Sequence, residues 1–585
     1  MPRQQIDRTE LLNVLVWLDQ YYSSSEGLAR PQGLSLDGRP DFEGIAAWVF
    51  DVFLNSRLAG LDLEASRQNV IHSIQQTNEW KTKHPQAGSA QWTPFTASLT
   101  LDRKEFLRAL WRLDVFYKSW NGLQRANGLS IGQRPDFEGI AAWVFDVYLN
   151  ARLARRSPEQ AWDDLVSEIR NTEEWRARSR PAVDASTLVG KHLMGYQGWF
   201  YTPNDGANCG WGHWFRGDPT AENANFDLWP DTRESFDGEL SPTSMTYGDG
   251  QPARLFSSYN ERTVRLHFDW LADAGIDGVS LGRFLGGTSD PPTRQRLDRI
   301  LANVRAASEA SGRVFFVWYD VSDNAPGTLV GNVKTDWMHL VDQQQILDSD
   351  SYLRHKGKPL LGVWGAGAGG RVGTPTEWTE IISFFKNHAN PRYRVTLLVG
   401  GTRDWRDNPT WAPIFAQADV VSPWAITAFD NDAGADGYRR NILEPDLALV
   451  KSRGQDYLPT LWPGFSWHNL QRGDSPLNAI PRRGGRFYWR QVYNAVSAGV
   501  DNLFTAMFDE VDEGTAMFKA APTQADVPAQ GSFLSLDADG EQLPSDWYLR
   551  LGGAAGKMLR REIPLSAYIP ITPLVHPSRS GEPAV

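Results

Sequence analysis

Residues 262–284, RTVRLHFDWLADAGIDGVSLGRF, decide the fold, because an amphipathic helix over 262–272 leads directly into a short apolar strand over 278–284. The same alternation continues along the chain from about residue 187. Eight strands are predicted there, near 194–200, 278–284, 314–320, 359–364, 395–400, 420–424, 458–463 and 503–508. Helices are predicted between them, for example over 294–310, 378–388 and 488–498. This pattern, over roughly 380 residues, favours an α/β fold of the closed (β/α)8 TIM barrel type over an open doubly wound sheet.

The part of the chain before this alternation contains a tandem repeat. The segment RPDFEGIAAWVFDV at 39–52 recurs unchanged at 134–147, an offset of 95 residues. Each copy predicts three helices, with Pro40 in the first turn of the middle one and the apolar residues of 45–53 on a single face. The apolar stretch at 11–18 belongs to this repeat, and acidic residues precede it, so it predicts a helix rather than a signal peptide.

These patterns predict a (β/α)8 barrel preceded by two small all-α repeat modules. The expected organisation is module 1 at 1–85, a linker at 86–101, module 2 at 102–180, a linker at 181–187, the barrel at 188–565 and a tail at 566–585. No catalytic constellation is evident in the repeats. We therefore expect them to attach the protein to a surface or to a protein partner.

Composition excludes several function classes. The net charge of −11 argues against a nucleic-acid partner bound through phosphates. A single cysteine, Cys209, excludes an intrachain disulfide framework and a zinc site built on several thiolates. No apolar run is long enough to predict a membrane span. The 25 tryptophans leave two interpretations open, large hydrophobic cores or flat platforms for sugar rings.

Aromatic and polar residues gather at the predicted carboxyl ends of the strands, which is the edge where barrels of this type carry their chemistry. The residues expected to line a sugar-binding cleft at this edge are Gln197, Trp199, Trp364, Trp424, Trp462 and Asp509. The loop after the first strand is long and contains His213 and Trp214, which we expect to cover the cleft.

Two glutamates after the eighth strand, Glu510 and Glu513, stand three residues apart. Glycosidic cleavage needs one protonated carboxyl group and one ionised carboxyl group, and crowding of like charges raises the pKa of one member of such a pair. Two alternatives remain open: an acidic helix start favoured by the helix dipole, and a divalent-metal site in which Asp509 and Asp512 join the two glutamates as oxygen ligands. We expect neither a metal nor an organic cofactor.

The segment FDEVDEGTA at 508–516 resembles the strand-8 motif of the endo-acting α-mannosidases of glycoside hydrolase family 99, in which two glutamates also stand three apart before Gly-Thr. The segments MGYQGWF at 194–200, HFDWLADAGIDGVSLGRF at 267–284 and VWYDVSD at 317–323 resemble the bacterial proteins grouped as family 71/99-like. The resemblance covers residues from about 188 to 565.

The resemblance implies that Glu513 is the general acid and that Glu510 is the base, which deprotonates the sugar 2-hydroxyl on the way to an epoxide-like intermediate. It also implies that the subsite of cleavage is lined by Tyr196, Arg283, Tyr319 and Asp320. Asp512 stands where the mannosidases typically carry His, and the related α-1,3-glucanases are as close in architecture. The identity of the sugar therefore stays open.

Together these observations predict a glycoside hydrolase that cleaves an α-linked polysaccharide internally, whether mannan-, glucan- or capsule-like. The alternative is a glycan-binding or virion or cell-surface attachment protein whose barrel does not hydrolyse. A polysaccharide substrate favours an extracellular, periplasmic or virion-associated location, although the sequence shows no signal-peptide pattern.

Overall fold

The computed structural model describes residues 7–36, 39–85, 103–118, 122–123, 125, 127–170, 172–176, 182–370 and 372–573. The chain divides into two compact units, Met1–Ser179 and Arg180–Val585. The predicted linker 86–101 and the tail beyond residue 573 lie outside the described residues. Within the described ranges, no helix is both long and apolar enough to cross a bilayer.

The first unit is built from the two copies of the repeat, and each copy contributes helices and one short hairpin. The helical segments of the first copy are Arg8–Ser23, Phe42–Ile45, the π-helical Ala46–Leu54, Asn55–Leu58, Leu63–Gln75 and Asn78–Lys83. Those of the second are Arg103–Lys118, Phe137–Gly139, the π-helical Ile140–Leu149, Asn150–Leu153, Pro158–Arg170 and Glu173–Arg176. The hairpins pair Ser35–Leu36 with Arg39–Pro40 and Ser130–Ile131 with Arg134–Pro135.

The entry to the middle helix differs from the prediction. Pro40 lies in the hairpin and not in the first helical turn. Asp41 caps the helix, because its Oδ1 accepts a hydrogen bond from the Gly44 amide at 2.9 Å while its own amide donates to the Leu34 carbonyl. The hairpin hydrogen bonds therefore hold the backbone extended up to the cap.

The two copies share one hydrophobic core. Phe50 of the first copy stacks on Phe106 of the second, with ring centroids 3.4 Å apart. Ion pairs are exchanged in both directions, Arg8 with Glu138 and Arg103 with Glu43. The repeats thus bury their apolar faces against each other.

The second unit confirms the predicted (β/α)8 barrel. Its parallel strands are β1 (His192–Tyr196), β2 (Gly278–Phe284), β3 (Val314–Asp320), β4 (Lys358–Ala366), β5 (Thr396–Gly401), β6 (Val420–Pro423), β7 (Asp456–Tyr457 and Thr460–Leu461) and β8 (Leu503–Thr505). Neighbours along the chain pair with each other, and β8 pairs with β1. The first half of β7 pairs with β6 and the second half with β8, which closes the barrel.

Helices connect the strands and cover the barrel. The main ones are Glu261–Ala274, Pro291–Ser311, Leu329–Asp342, Pro375–Asn387, Ala412–Phe415, Asp432–Tyr438, Arg439–Leu443, Glu444–Ser452, Arg486–Ala498 and Trp547–Leu559. The long connection after β1 carries its own hairpin, Ser241–Thr246 with Pro252–Leu255. The chain that precedes β4 adds a short antiparallel strand, Arg354–His355.

Strands β1 and β8 are shorter than the sequence predicts, ending at Tyr196 and Thr505 rather than at residues 200 and 508. After β1, the amides of Gln197 and Gly198 donate to the two carboxylate oxygens of Asp509, at 2.8 and 2.9 Å. These amides bind a side chain instead of a neighbouring strand, so the ladder stops there. The same contact joins the ends of β1 and β8, where the candidate site lies.

Candidate active site

Asp509 anchors the site. Its side chain is fully buried, and burial raises its pKa to about 7, although the two backbone amides after β1 oppose the shift. Because one carboxylate binds two consecutive amides, it fixes the direction in which the Gln197 side chain leaves the backbone.

Glu510 lies next to this anchor and is only 4% exposed. Its Oε1 accepts a hydrogen bond from Gln197 Nε2 at 3.0 Å, and its Oε2 accepts one from Thr515 Oγ1 at 2.8 Å. Burial and the neighbouring charges of Glu513 and Asp512 raise the pKa of Glu510, while the two donors act in the opposite direction. Both oxygens of Glu510 are therefore arranged as acceptors.

Glu513 is the more accessible member of the pair and is half-buried. Burial, together with the charge of Asp512, raises its pKa to about 7. The backbone at this point is held by the Ser466 amide, which donates to the Glu513 carbonyl at 2.8 Å. A carboxyl group with a pKa near neutrality can donate a proton at physiological pH.

Asp512, His213 and Trp199 form a contiguous cluster beside the glutamates. Asp512 Oδ2 lies 3.6 Å from His213 Nδ1. The His213 ring stacks flat on Trp199, with centroids 4.1 Å apart and an interplanar angle of 5°. Trp199 also contacts Phe284 at the end of β2. The long loop after β1 thus brings an imidazole to the acidic turn after β8.

A second group of partly exposed residues lies at the ends of β2, β3 and β4. Phe284 pairs in register with Asp320, and Asp320 with Trp364, so all three lie at one level of the barrel and all are half-buried. Trp364 meets Trp424 edge-on, with centroids 5.6 Å apart. Burial raises the pKa of Asp320, whose carboxylate accepts from the Ser322 amide and hydroxyl.

Besides Asp509, five of the residues expected to line or cover the cleft are sealed in the interior, which corrects their expected role as contact surfaces. These are Tyr196, Trp214, Arg283, Tyr319 and Trp462. The expectation was wrong for Arg283 and Tyr319 because Asp336 holds both, accepting two hydrogen bonds from the guanidinium at 2.7 Å and one from the phenol at 2.8 Å.

The other three are held by packing and by internal hydrogen bonds. Tyr196 hydrogen-bonds with His267 Nδ1 at 2.9 Å. Trp214 packs on Phe200 and donates its indole N–H to the Phe256 carbonyl. Trp462 packs on Phe429. The expected residues that stay at least partly exposed are therefore Gln197, Trp199, His213, Asp320, Trp364 and Trp424, whereas Asp509 and Glu510 are buried.

Asp227 is a site residue that the sequence did not reveal. It is fully buried in the long loop after β1, and its carboxylate accepts from Ser466 Oγ and from the amides of His468 and Asn469, at 2.5 to 2.8 Å. Its own amide donates to the Val511 carbonyl. Asp227 therefore ties two loops, its own after β1 and the one after β7, to the turn that carries both glutamates.

Gly514 allows that turn to approach Ser466. Its φ is +62°, and a Cβ at this position would lie 3.0 Å from the Ser466 amide nitrogen. As for the alternative metal site, no group of three or more His, Cys, Asp or Glu residues in the described part of the chain is arranged to hold an ion.

Comparison with solved structures finds similar chains at low identity. Two structures of the GH99 endo-alpha-mannosidase from Bacteroides thetaiotaomicron are each 16% identical, covering 64% of this chain and 99% of their own, with a TM-score of 0.48. A protein described as glycoside hydrolase-like is 13% identical, covering 64% of this chain and 96% of its own, with a TM-score of 0.41. No family model and no curated protein matches the chain, so the geometry of the site carries the functional proposal.

Proposed function

We propose that the barrel is a glycoside hydrolase that cleaves an α-linked polysaccharide internally, with Glu513 as general acid and Glu510 as base. The observation that carries the proposal is the unequal environment of the pair. Glu510 receives hydrogen bonds on both oxygens, whereas Glu513 is half-buried with a pKa near 7. Burial raises the pKa of both glutamates, so the pair holds one proton readily; hydrogen-bond donors oppose the shift at Glu510, and we therefore assign the charge to Glu510 and the proton to Glu513.

In the proposed reaction Glu510 accepts the proton of the sugar 2-hydroxyl, and that oxygen displaces the glycosidic oxygen from the anomeric carbon. Glu513 gives its proton to the departing oxygen. Water then attacks the anomeric carbon and opens the resulting ring, giving its proton to Glu513, while Glu510 returns the first proton to the sugar 2-oxygen. Gln197 positions the base through its hydrogen bond to Oε1. Asp320, Trp364 and Trp424 are half-buried at or near the ends of β3, β4 and β6, which suits contact with sugar hydroxyls and ring faces.

A barrel that binds glycan without cleaving it is the second candidate, and the 4% exposure of Glu510 favours it. Reducing-end release from α-mannans, α-glucans and bacterial capsules, measured beside calorimetric binding, separates the two. Hydrolysis that falls at least ~10³-fold in both Glu510→Gln and Glu513→Gln supports the enzyme. Binding without release supports the second candidate. Glu380→Gln, at a surface glutamate paired with Lys334, is the matched control.

We also propose that the amino-terminal repeats, up to residue 180, serve to attach the enzyme. Apolar side chains exposed on the second copy support this role, among them Trp111 at 46% and Ile131 at 64%. Depletion of the full chain from solution by polysaccharide-coated particles should weaken in Trp111→Ala if this surface is used.

A further inference from the structure

Arg482 is a buried cation that contacts the acidic turn after β8. It follows β7 in the chain and is only 9% exposed. Its Nη2 donates to two backbone carbonyls, those of Gly514 and Ala516, each at 2.7 Å. Its guanidinium carbon lies 4.6 Å from the centroid of the Tyr548 ring. Arg482 therefore holds the backbone that directly follows Glu513.

The Arg482 guanidinium is not part of an ordinary ion pair. In the described part of the chain no carboxylate lies within ion-pair distance of it, and its Nη1 is buried without a hydrogen-bond partner. Asp539, whose charge attracts Arg482 from further away, accepts instead from the Arg483 amide and from Asn478 Nδ2, at 2.6 and 2.8 Å. Because a buried charge without a carboxylate partner is costly, the two carbonyl bonds are the contacts that account for an arginine at this position.

Thr515 lies between the two carbonyls that Arg482 binds, and it contacts the proposed base. Its side chain is fully buried, and its Oγ1 donates to Glu510 Oε2 at 2.8 Å. That hydrogen bond lowers the pKa of Glu510, against the rise that burial causes. The direction of the Thr515 hydroxyl depends on the backbone on either side of it, and Arg482 binds that backbone at both points.

We infer that Arg482 is a positioning residue for the base, because its two carbonyl bonds hold the Thr515 hydroxyl in contact with Glu510 Oε2. This role rests on the proposed function and extends it to a buried residue that touches neither glutamate side chain. Since a hydrogen bond to a carboxylate favours its ionised form, loss of the contact should make the base harder to ionise. The other groups that act on the base stay in place in the variants below, and they are Gln197, Asp512 and Glu513.

The first test compares the pH profiles of kcat/KM for Arg482→Met, Thr515→Val and the double variant, measured on the full chain by reducing-end release. The acid limb reports ionisation of the base, so both single substitutions should move it to higher pH, by about one unit in Thr515→Val and by at least about 0.5 unit in Arg482→Met. On the acid side, one unit corresponds to a fall of about tenfold in kcat/KM. In the double variant the limb should lie where Thr515→Val puts it, because the hydroxyl through which Arg482 acts is gone.

Crystal structures supply a second readout that does not require hydrolysis. In Arg482→Met the distance from Thr515 Oγ1 to Glu510 Oε2 should exceed about 3.5 Å, so that the hydrogen bond is lost. Arg486→Met, at an exposed arginine paired with Glu541, is the matched control and should keep both this contact and the pH profile of the wild type. Circular dichroism and thermal unfolding establish that each variant is folded, and Arg482→Gln, whose side chain is shorter, carries the same tests if Arg482→Met is not.

The positioning role is refuted if the substitution at Arg482 leaves the acid limb in place, if it moves the limb equally with and without the Thr515 hydroxyl, or if the crystal structure retains the contact with Glu510. If the wild type hydrolyses no polysaccharide, the proposed function fails and the crystal structures alone decide. A lost contact then keeps the positioning role, and a retained contact removes it.

Discussion

The alkaline limb of the pH–activity profile is the most informative consequence of the site geometry. Glu513 has to be protonated to act as the acid, and its pKa is raised to about 7. With that pKa the protonated fraction is about one half at pH 7, about one in 11 at pH 8 and about one in 100 at pH 9. The kcat/KM for a cleaved polysaccharide should therefore fall about 50-fold between pH 7 and pH 9.

Asp512 provides the internal check on this reasoning. Its negative charge raises the pKa of Glu513, so Asp512→Asn should lower that pKa and move the alkaline limb toward lower pH. The displacement should be on the order of one pH unit for a neighbouring charge in a partly screened site. Initial rates of reducing-end release, measured at constant ionic strength, supply both profiles. A rate that stays flat up to pH 9, or a limb that does not move in Asp512→Asn, would refute the assignment.

Three further predictions concern stability and are measured by urea unfolding. Asp227→Ala should lower the free energy of unfolding of the barrel by roughly 3 kcal/mol, because three donors lose a buried acceptor, and it should lower kcat because the turn that carries Glu513 loosens. The control Asp249→Ala, in an exposed turn, should lower the free energy of unfolding far less. Arg283→Met should lower the free energy of unfolding by about 3 kcal/mol or more, because it leaves the Asp336 carboxylate buried without its cation. Nearly unchanged stability together with a raised KM would instead indicate that Arg283 binds substrate. Phe50→Ala should cost about 3 to 5 kcal/mol in the amino-terminal unit, since Phe50 packs on the other copy of the repeat; an effect below about 1 kcal/mol would contradict a shared core.

The barrel could be predicted from the sequence because its strands are buried on both sides and appear as short apolar runs between amphipathic helices. Strands β2 and β3 have the predicted bounds. The ends of β1 and β8 could not be predicted in the same way. They depend on the contact between Gln197 and Asp509, two residues far apart in the chain, and no local pattern records such a pairing.

The site was predictable to the extent that its chemistry lies in one short segment. The spacing of Glu510 and Glu513 predicted the pair, whereas the family resemblance placed Arg283 and Tyr319 in the cleft. Their burial depends on Asp336, which lies on a helix and has no distinguishing pattern in the sequence. Asp227 had one usable signal, since it stands between apolar residues in the segment FDLW at 226–229, where a charged residue needs buried partners.

A crystal structure of Glu513→Gln with an α-linked oligosaccharide bound tests the proposed catalytic pair most directly. We predict a glycosidic oxygen within about 3.2 Å of the substituted side chain at position 513 and the 2-hydroxyl of the adjoining sugar within the same reach of Glu510. A bound oligosaccharide whose glycosidic oxygens all lie beyond hydrogen-bond reach of position 513, for example one seated only against Trp364 and Trp424, would contradict the pair's assigned chemistry.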